Sequence, residues 1–160
     1  MGRIAKTALR HGLGVRGVFT FPGHSYAPGE GEAAALQEAE ALGAAVTSLR
    51  AATGQEQVEV SGGSTPSVRA TRSSVVTESR PGVYVFNDAQ QWELGTVTPS
   101  EIALTAYSRV VSRRPGHVVL DAGSKVLGAD RAPYATGFGR LLDHPDARLV
   151  QLSEHHAVAE

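Results

Sequence analysis

A short apolar strand that runs directly into a glycine-rich turn constrains this chain most strongly. Val58 and Val60 alternate with polar residues, as in a half-buried strand, and the turn Gly62-Gly63-Ser64-Thr65 follows at once. Glycines let backbone N–H groups approach a ligand closely, and the two hydroxyls add further donors. Several donors aimed at one point make a phosphate cradle. The same residues also form ordinary exposed turns, which is the favoured interpretation of this segment taken alone.

The elements predicted around this turn alternate between strands and helices. Residues 13–20 predict a strand, a loop rich in Gly and Pro follows, and a helix is predicted from about Glu32 until Gly54 stops it. The helix is indicated by an apolar stripe at steps of three and four, formed by Leu36, Ala39, Leu42, Val46 and Leu49. Further strands are predicted at residues 57–61, 74–77 and 83–86. This order is typical of α/β units with parallel strands.

The second half of the chain is predicted to be mainly β. Residues 102–111 fit a long strand or a short helix: residues 99–101 suit a helix start, whereas the β-branched and aromatic residues that follow favour a strand. Two more strands are predicted at residues 117–120 and 148–152. We therefore predict an α/β part over residues 1–90 and a β-rich part over residues 91–160.

Composition and charge exclude several classes of function. The net charge of −1 and the pI near 6.6 give no electrostatic footprint for nucleic acid or acidic membranes. The absence of cysteine excludes disulfides, thiolate metal sites and cysteine nucleophiles. The first residues lack the apolar region of a signal peptide, and no run approaches the roughly 18 apolar residues of a membrane span. We expect a soluble cytoplasmic protein that binds neither nucleic acid nor membrane.

Lysine is scarce in this chain. It has 13 arginines but only two lysines, Lys6 and Lys125. A mechanism that forms a Schiff base must therefore use one of these two or a lysine outside the chain.

Four short segments combine groups that could carry chemistry, and each also has a structural interpretation. An arginine at a strand end, Arg80, could face a cofactor ring or a phosphate, or precede a tight Pro-Gly turn on the surface. Residues 23–26 hold a histidine in a loop that could be catalytic or merely polar. Residues 121–125 could bind a carboxylate or form a solvated ion pair. Residues 153–156 hold adjacent histidines, which point to opposite faces of a strand, so we expect no metal site within this chain.

Together these segments resemble one family, the pyridoxal-phosphate enzymes of D-threonine aldolase and D-serine dehydratase type, within the wider alanine-racemase-like group of fold-type III. Matching stretches occur in family order from about residue 15 to the end of the chain. They are residues 17–20 with Gly23-His24-Ser25-Tyr26, Ser61-Gly62-Gly63-Ser64-Thr65-Pro66, Arg80-Pro81-Gly82-Val83-Tyr84, Asp121-Ala122-Gly123-Ser124-Lys125, Gly137-Phe138-Gly139 and Leu152-Ser153-Glu154.

The resemblance implies an α/β fold: the C-terminal part of a TIM-type barrel that binds pyridoxal 5'-phosphate, followed by a partial β-rich domain. It also implies a homodimer with sites near the subunit interface. The cofactor-binding residues that it implies are Gly62, Gly63, Ser64, Thr65, Arg80, Gly82, Val83 and Tyr26. The glycine-rich turn would hold the phosphate, together with the backbone amides after Pro81. Arg80 would lie near the pyridine nitrogen, and Tyr26 beside the ring or the substrate.

The departures from the family pattern imply a C-terminal fragment. A barrel of this kind takes about 250 residues, and only its last strands have counterparts here. The family's Schiff-base lysine lies near the first barrel strand, which has no counterpart here, and its metal ligands, a histidine with a cysteine or aspartate two residues on, would follow Glu160. Phe21 stands where many relatives have histidine, and His155 and Ala157 replace the usual Glu and Gly. We expect open strand edges and an uncovered apolar face.

The activity that the resemblance implies is that of a pyridoxal-phosphate-dependent lyase acting on a small D-3-hydroxy amino acid. A divalent metal on the substrate hydroxyl would act as a Lewis acid in aldol cleavage or dehydration, and the residues do not decide between the two reactions. Two alternatives stay open. One is an amino-acid racemase of the same group, which would lack the metal ligands, and the other is a non-catalytic module that binds a phosphorylated small molecule.

Overall fold

The chain forms two units, Met1–Tyr84 and Val85–Glu160. The computed structural model describes residues 1–71 and 74–160. The first unit contains a parallel sheet and the second an antiparallel sheet, which confirms the predicted mixed α/β class. Within the described residues, none of the helices combines the length and the apolar character needed to cross a bilayer.

The first unit is a three-stranded parallel sheet packed against helices. In chain order its helices and strands are α1 (Gly2–Arg10), β1 (Gly17–Phe19), α2 (Gly31–Thr53), β2 (Glu59–Gly62) and β3 (Glu78–Ser79). Short 3-10 helices occupy Gly23–Tyr26, Val68–Ala70 and Val83–Val85. The sheet order is β1-β2-β3, with Val18 opposite Val60 and Ser61 opposite Glu78. The carboxyl ends of all three strands therefore lie at one edge of the sheet.

The long helix α2 supplies much of the core of this unit. It begins beside Glu32, whose charge suits the positive end of the helix, and it ends at Gly54, which adopts the left-handed conformation as a helix stop. Leu42 and Leu49 from the predicted stripe are buried, whereas Leu36 is exposed. The buried face is shifted toward Ala34, Ala35 and Glu38, because α2 also packs on the loop that follows β2. The apolar core comprises Ala5, Val18, Leu42, Leu49, Val58, Val60 and Val76.

Two local predictions for this unit differ from the structure, and one helix has no counterpart among the predictions. The strand expected at residues 74–77 lies later, at β3, and Thr77 instead uses its hydroxyl to accept the Val60 N–H at 2.8 Å. The strand expected at residues 83–86 is a 3-10 helix, since the turn at Pro81-Gly82 leads into it and the Tyr84 N–H bonds the Thr65 hydroxyl. The helix α1 was not predicted; its Gly2 N–H bonds Ser48 Oγ of α2 at 3.1 Å, and Ala5 is buried.

The second unit is a four-stranded antiparallel sheet preceded by short helices. Its elements are α3 (Ala89–Glu93), a 3-10 helix at Pro99–Glu101, β4 (Val110–Arg114), β5 (His117–Leu120), β6 (Leu149–Leu152) and β7 (Ala157–Ala159), with sheet order β4-β5-β7-β6. The strand predicted at residues 117–120 is confirmed with the same bounds, and the strand predicted at residues 148–152 begins one residue later, at Leu149. Residues 102–109 carry neither a helix nor a strand, and the strand expected there begins only at Val110.

A partly buried ionic cluster surrounds Glu93 in the second unit. Its carboxylate accepts hydrogen bonds from the Thr136 N–H and hydroxyl, each at 2.7 Å, and from Arg140 Nε at 2.9 Å. The Arg140 guanidinium also lies 4.5 Å from the centre of the Trp92 ring. Burial alone would raise the pKa of Glu93, but these hydrogen bonds and the Arg140 charge lower that pKa below its ordinary value.

We predict that Gly17→Ala destabilises the first unit, because a Cβ there would overlap the Glu59 carbonyl oxygen and lie 2.7 Å from the carbonyl carbon. Relieving that overlap must separate β1 from β2. The measurement is urea unfolding followed by far-UV circular dichroism, with an expected loss of about 1–3 kcal/mol. The control is Gly14→Ala, whose Cβ would meet no atom within 4 Å. Equal stability of the two variants would contradict the β1–β2 contact.

We predict that Glu93→Gln makes the stability of the second unit less dependent on pH in the acid range. A carboxylate with a lowered folded-state pKa contributes stability above its unfolded pKa and loses it as the pH falls through the folded value. The wild type should therefore lose this contribution below about pH 4.5, the ordinary value for glutamate. Trp92, the single tryptophan of the chain, reports on this unit by its fluorescence. The control is Asp130→Asn, at an exposed carboxylate. If stability falls with decreasing pH as steeply in Glu93→Gln as in the wild type, the Glu93 cluster does not cause that fall.

Candidate functional site

The carboxyl edge of the parallel sheet gathers the segments that the sequence singled out. Thr20 follows β1, Gly63 follows β2 and Arg80 follows β3. Backbone hydrogen bonds continue past the strands, from the Thr20 N–H to the Ser61 carbonyl at 3.1 Å and from the Arg80 N–H to the Gly62 carbonyl at 2.8 Å. In parallel α/β sheets this edge is where ligands bind. The candidate site of the first unit is therefore this edge.

A chain of buried hydroxyls ties the loop after β1 to the loop after β2. Ser64 Oγ lies 2.7 Å from Ser25 Oγ and 2.8 Å from Ser67 Oγ, and Ser67 Oγ also accepts the Ser64 N–H at 3.0 Å. Ser64 is 1% exposed, and Ser25 and Ser67 are equally buried. Such bonds satisfy groups that would otherwise be costly to bury. In this structure the Ser64 hydroxyl therefore fastens two loops together.

Thr65 connects the same loop to the segment after β3. Its buried hydroxyl accepts the Tyr84 N–H at 3.1 Å, at the 3-10 helix that follows Pro81-Gly82. Together with the serine bonds, this contact links the three loops at the carboxyl edge.

The two glycines of the turn are needed by close packing. A Cβ at Gly62 would lie 2.8 Å from Glu38 Oε1 and 3.0 Å from Leu42 Cδ1. Gly63 has a φ of +90°, which favours glycine, and a Cβ there would lie 2.7 Å from Ser79 Oγ. The Gly63 N–H donates to both carboxylate oxygens of Glu38 at 2.9 Å. One amide of the predicted cradle is thus already bonded within the chain.

Arg80 lies across the ends of β1 and β2. Its Nε donates to Ser61 Oγ at 2.6 Å, and its Nη2 donates to the Thr20 carbonyl at 2.6 Å. Ser61 Oγ in turn donates to Glu78 Oε2. The Arg80 guanidinium also lies 5.7 Å from the centre of the exposed Phe19 ring. The charged end of Arg80 is therefore presented at this edge in a fixed position.

The backbone after Pro81 is the open part of the edge. Gly82 is exposed, and a Cβ on it would meet no atom within 4 Å. In residues 1–71 and 74–160, neither the Gly82 N–H nor the Val83 N–H has a hydrogen-bond partner. These two amides are donors that an anionic group could bind without displacing a bond of the protein.

Tyr26 stands on the first of the three loops. It is half-buried at the end of the 3-10 helix Gly23–Tyr26, and its ring centre lies 6.0 Å from that of the exposed Phe21. An aromatic pair of this kind offers an apolar wall at the same edge.

The remaining segments from the sequence lie in the second unit, where backbone contacts account for them. Residues 121–125 pack on the turn between β6 and β7, since Ser124 N–H bonds the Ser153 carbonyl at 2.8 Å and Lys125 N–H bonds the Glu154 carbonyl at 3.0 Å. Asp121 Oδ1 accepts the Arg109 N–H at 2.7 Å. The adjacent histidines occupy that turn, and among the described residues no group of three His, Asp or Glu could hold a metal.

Sequence reasoning missed Glu38, Ser25 and Ser67 as parts of this edge. Glu38 lies on the buried face of α2, four residues before Leu42. A charged residue at this spacing from an apolar position was the one sequence signal that could have indicated its role. Ser25 lies within the Gly23-His24-Ser25-Tyr26 motif and Ser67 follows the glycine-rich turn, but neither carried a signal for a role of its own.

Comparisons with known proteins match both parts of the chain. Residues 103–160 match the model of a putative serine dehydratase domain. An uncharacterized protein of Mycobacterium tuberculosis is 59% identical over 78 residues, which is 46% of this chain and 59% of that protein. D-threo-3-hydroxyaspartate dehydratase of Delftia sp. strain HT23 is 35% identical over 150 residues, or 88% of this chain and 39% of the enzyme.

Solved structures give the same likeness over nearly the whole chain. The structure of the Delftia dehydratase superposes with a TM-score of 0.83 at 31% identity, covering 98% of this chain and 45% of that one. D-threonine aldolase from Filomicrobium marinum superposes with a TM-score of 0.76 at 28% identity, covering 99% of this chain and 43% of that one. The chain thus spans less than half the length of these two enzymes, and its sheets do not close into a barrel within the described residues.

We predict that Ser64→Ala destabilises the first unit by about 1–3 kcal/mol, because it leaves the buried hydroxyls of Ser25 and Ser67 short of a partner. The measurement is unfolding in urea, monitored by the far-UV circular dichroism of the helices. The control is Ser74→Ala, at an exposed serine. If both variants unfold at the wild-type urea concentration, the hydroxyl chain does not join the loops.

Proposed function

This chain belongs to the family of D-serine dehydratase-like and D-threonine aldolase-like proteins, and we propose that it forms the phosphate-binding part of a pyridoxal-phosphate-dependent lyase. The proposed substrate is a small D-amino acid with a hydroxyl on its β-carbon. The likeness to a D-threo-3-hydroxyaspartate dehydratase and to a D-threonine aldolase supports this class, since the substrates in both names share that hydroxyl.

The observation that carries the proposal is the set of donors at the carboxyl edge of the parallel sheet. The exposed Gly82 and the unbonded N–H groups of Gly82 and Val83 fit the phosphate of the cofactor. The Gly63 N–H fits it less well, because the Glu38 carboxylate already holds this amide. We therefore assign direct phosphate contacts to the amides of Gly82 and Val83.

The glycine-rich turn has a supporting part in this proposal. Gly62, Gly63, Ser64 and Thr65 are buried, and in this proposal they hold the loops that carry the phosphate donors. The two hydroxyls do so through their bonds to Ser25, Ser67 and the Tyr84 N–H. Donors on fixed loops orient the anion at little entropic cost.

Two side chains would face the cofactor ring. The Arg80 guanidinium, held by Ser61 and the Thr20 carbonyl, keeps a positive charge at the edge and would lie near the pyridine nitrogen. Tyr26, paired with Phe21, would lie against the ring or the substrate and exclude water there. When bound, pyridoxal phosphate supplies an electron sink for bonds broken at the substrate α-carbon.

The other components of the proposed enzyme lie outside this chain. Lys6 is on α1 and Lys125 is on a turn of the second unit, so we assign the Schiff-base lysine to polypeptide beyond this chain. The divalent metal that would polarise the substrate hydroxyl is likewise assigned to ligands after Glu160. Residues 1–90 as the last barrel units, residues 91–160 as the β-rich domain, the homodimer and the cytoplasmic location stay predictions.

We predict that this chain completes a cofactor site when it is co-expressed with the parts of the Delftia dehydratase that it does not match, which would supply the Schiff-base lysine and the metal ligands. The purified complex should show the visible absorption of protein-bound pyridoxal phosphate and should release ammonia from D-threo-3-hydroxyaspartate or cleave D-threonine. Lys125→Ala should leave the absorption unchanged. An assembled but colourless complex would contradict the proposal, and racemisation of D-alanine without lyase activity would replace it by the racemase.

The phosphate contact has its own pair of variants. Val83→Pro removes one N–H at the first position of a helix, where proline is tolerated, and Val83→Ala keeps that N–H. In the complex, Val83→Pro should raise the Kd for pyridoxal phosphate about tenfold or more, as expected for a lost bond to a charged group, whereas Val83→Ala should bind as the wild type does. Equal affinities would move the phosphate to another part of the edge.

A further inference from the structure

Glu38 is a buried carboxylate for which the proposed reaction has no use. It lies in the middle of α2 and is 5% exposed. In residues 1–71 and 74–160 no basic side chain forms an ion pair with it. Burying a carboxylate without a cation is costly, and a neutral or apolar residue would cost less at a position that served packing alone. Its partner is instead a backbone amide, the Gly63 N–H, which bonds both of its oxygens at 2.9 Å.

The peptide group between Gly62 and Gly63 is held from both sides. Its N–H donates to Glu38, and its carbonyl accepts the Arg80 N–H at 2.8 Å. A hydrogen bond to a charged acceptor is stronger than one between neutral groups, and bonds in series across one peptide reinforce each other. The carboxylate on α2 is therefore connected through a single peptide plane to the first residue of the Arg80-Pro81-Gly82 segment.

The approach of Glu38 also explains why residue 62 is glycine. A Cβ at this position would lie 2.8 Å from Glu38 Oε1 and 3.0 Å from Glu38 Cδ, so any larger residue would push the carboxylate away from the Gly63 N–H. Gly62 thus leaves space for the Glu38 carboxylate. In the proposed site the phosphate is bound instead by the N–H groups of Gly82 and Val83.

We propose that Glu38 is a positioning residue, which fixes the amides of Gly82 and Val83 for the phosphate by holding the Gly62–Gly63 peptide against Arg80. This inference rests on the proposed function for its ligand, but the positioning of the backbone can be measured without any ligand. Glu38 touches neither the cofactor nor the substrate in this scheme.

The test compares three variants of α2. Glu38→Ala removes the acceptor, Glu38→Gln keeps one acceptor oxygen without the charge, and the exposed Glu40→Ala is the matched control on the same helix. Glu38→Asp, which shortens the reach by one methylene and keeps the charge, is the second variant if Glu38→Ala fails to fold. Circular dichroism establishes which variants are folded.

The first measurement is amide hydrogen exchange of the chain by NMR without cofactor. In Glu38→Ala or Glu38→Asp the Gly63 and Arg80 amides should exchange at least tenfold faster than in the wild type, while amides of the α2 interior keep their protection. Glu38→Gln should restore most of the protection. Unchanged exchange at both amides would overturn the inference, whatever the chain binds.

The second measurement is the Kd for pyridoxal phosphate of the co-expressed complex. Loss of positioning should raise it about tenfold or more in Glu38→Ala, while Glu38→Gln should stay within about threefold of the wild type and Glu40→Ala should be unchanged. Tighter binding by Glu38→Gln would mean that the charge merely repels the phosphate, and this would overturn the inference. If the wild-type complex binds no pyridoxal phosphate, the proposed function fails, while the exchange result still stands or falls alone.

Discussion

A single peptide group, between Gly62 and Gly63, carries the connections on which the carboxyl edge of the parallel sheet depends. Its N–H is held by the Glu38 carboxylate of α2, and its carbonyl holds the Arg80 N–H beyond β3. Strand β2 precedes this peptide, and Ser64 and Thr65 follow it. The Ser64 hydroxyl bonds Ser25 in the loop after β1, and the Thr65 hydroxyl bonds the Tyr84 N–H in the segment after β3. The Gly62–Gly63 peptide thus connects α2, β2 and the segment after β3 through hydrogen bonds.

The sequence predicted those elements whose signals are local and periodic. The helix α2, its stop at Gly54 and the strand β5 follow from apolar spacing and from glycine at a left-handed position, and the structure has them where expected. The strand predicted at residues 83–86 is wrong, because a turn and a hydrogen bond from the Thr65 side chain outweigh the strand propensity of these β-branched and aromatic residues. Residues 102–109 show the same limit, since β-branched residues alone do not supply a strand with a neighbour.

The turn after β2 shows why a motif identifies a place more reliably than a role. Two glycines and two hydroxyls indicated donors for a phosphate, and the turn does lie at the edge where ligands bind in such sheets. Its own groups, however, bond Glu38, Ser25, Ser67 and Tyr84. Glu38, Ser25 and Tyr84 are distant from the turn in sequence, and Ser67, although only two residues past it, carries no pattern that indicates its contacts. The exposed Phe19 and the unpaired outer edges of β1 and β3 in the described residues agree with the open sheet that the resemblance implied.

The cluster of Ser25, Ser64 and Ser67 has a consequence for how this edge can change during evolution. Ser64 Oγ is the centre of this buried cluster, since it bonds both Ser25 Oγ and Ser67 Oγ. Replacing Ser64 alone leaves the hydroxyls of Ser25 and Ser67 short of a partner. Replacing all three serines by alanine removes the three hydroxyls together and leaves only the Ser64 and Ser67 N–H groups without their side-chain acceptors, so the joint change costs less than the sum of its parts. Substitutions at these three positions should therefore be coupled, with a change at Ser64 accompanied by changes at Ser25 and Ser67.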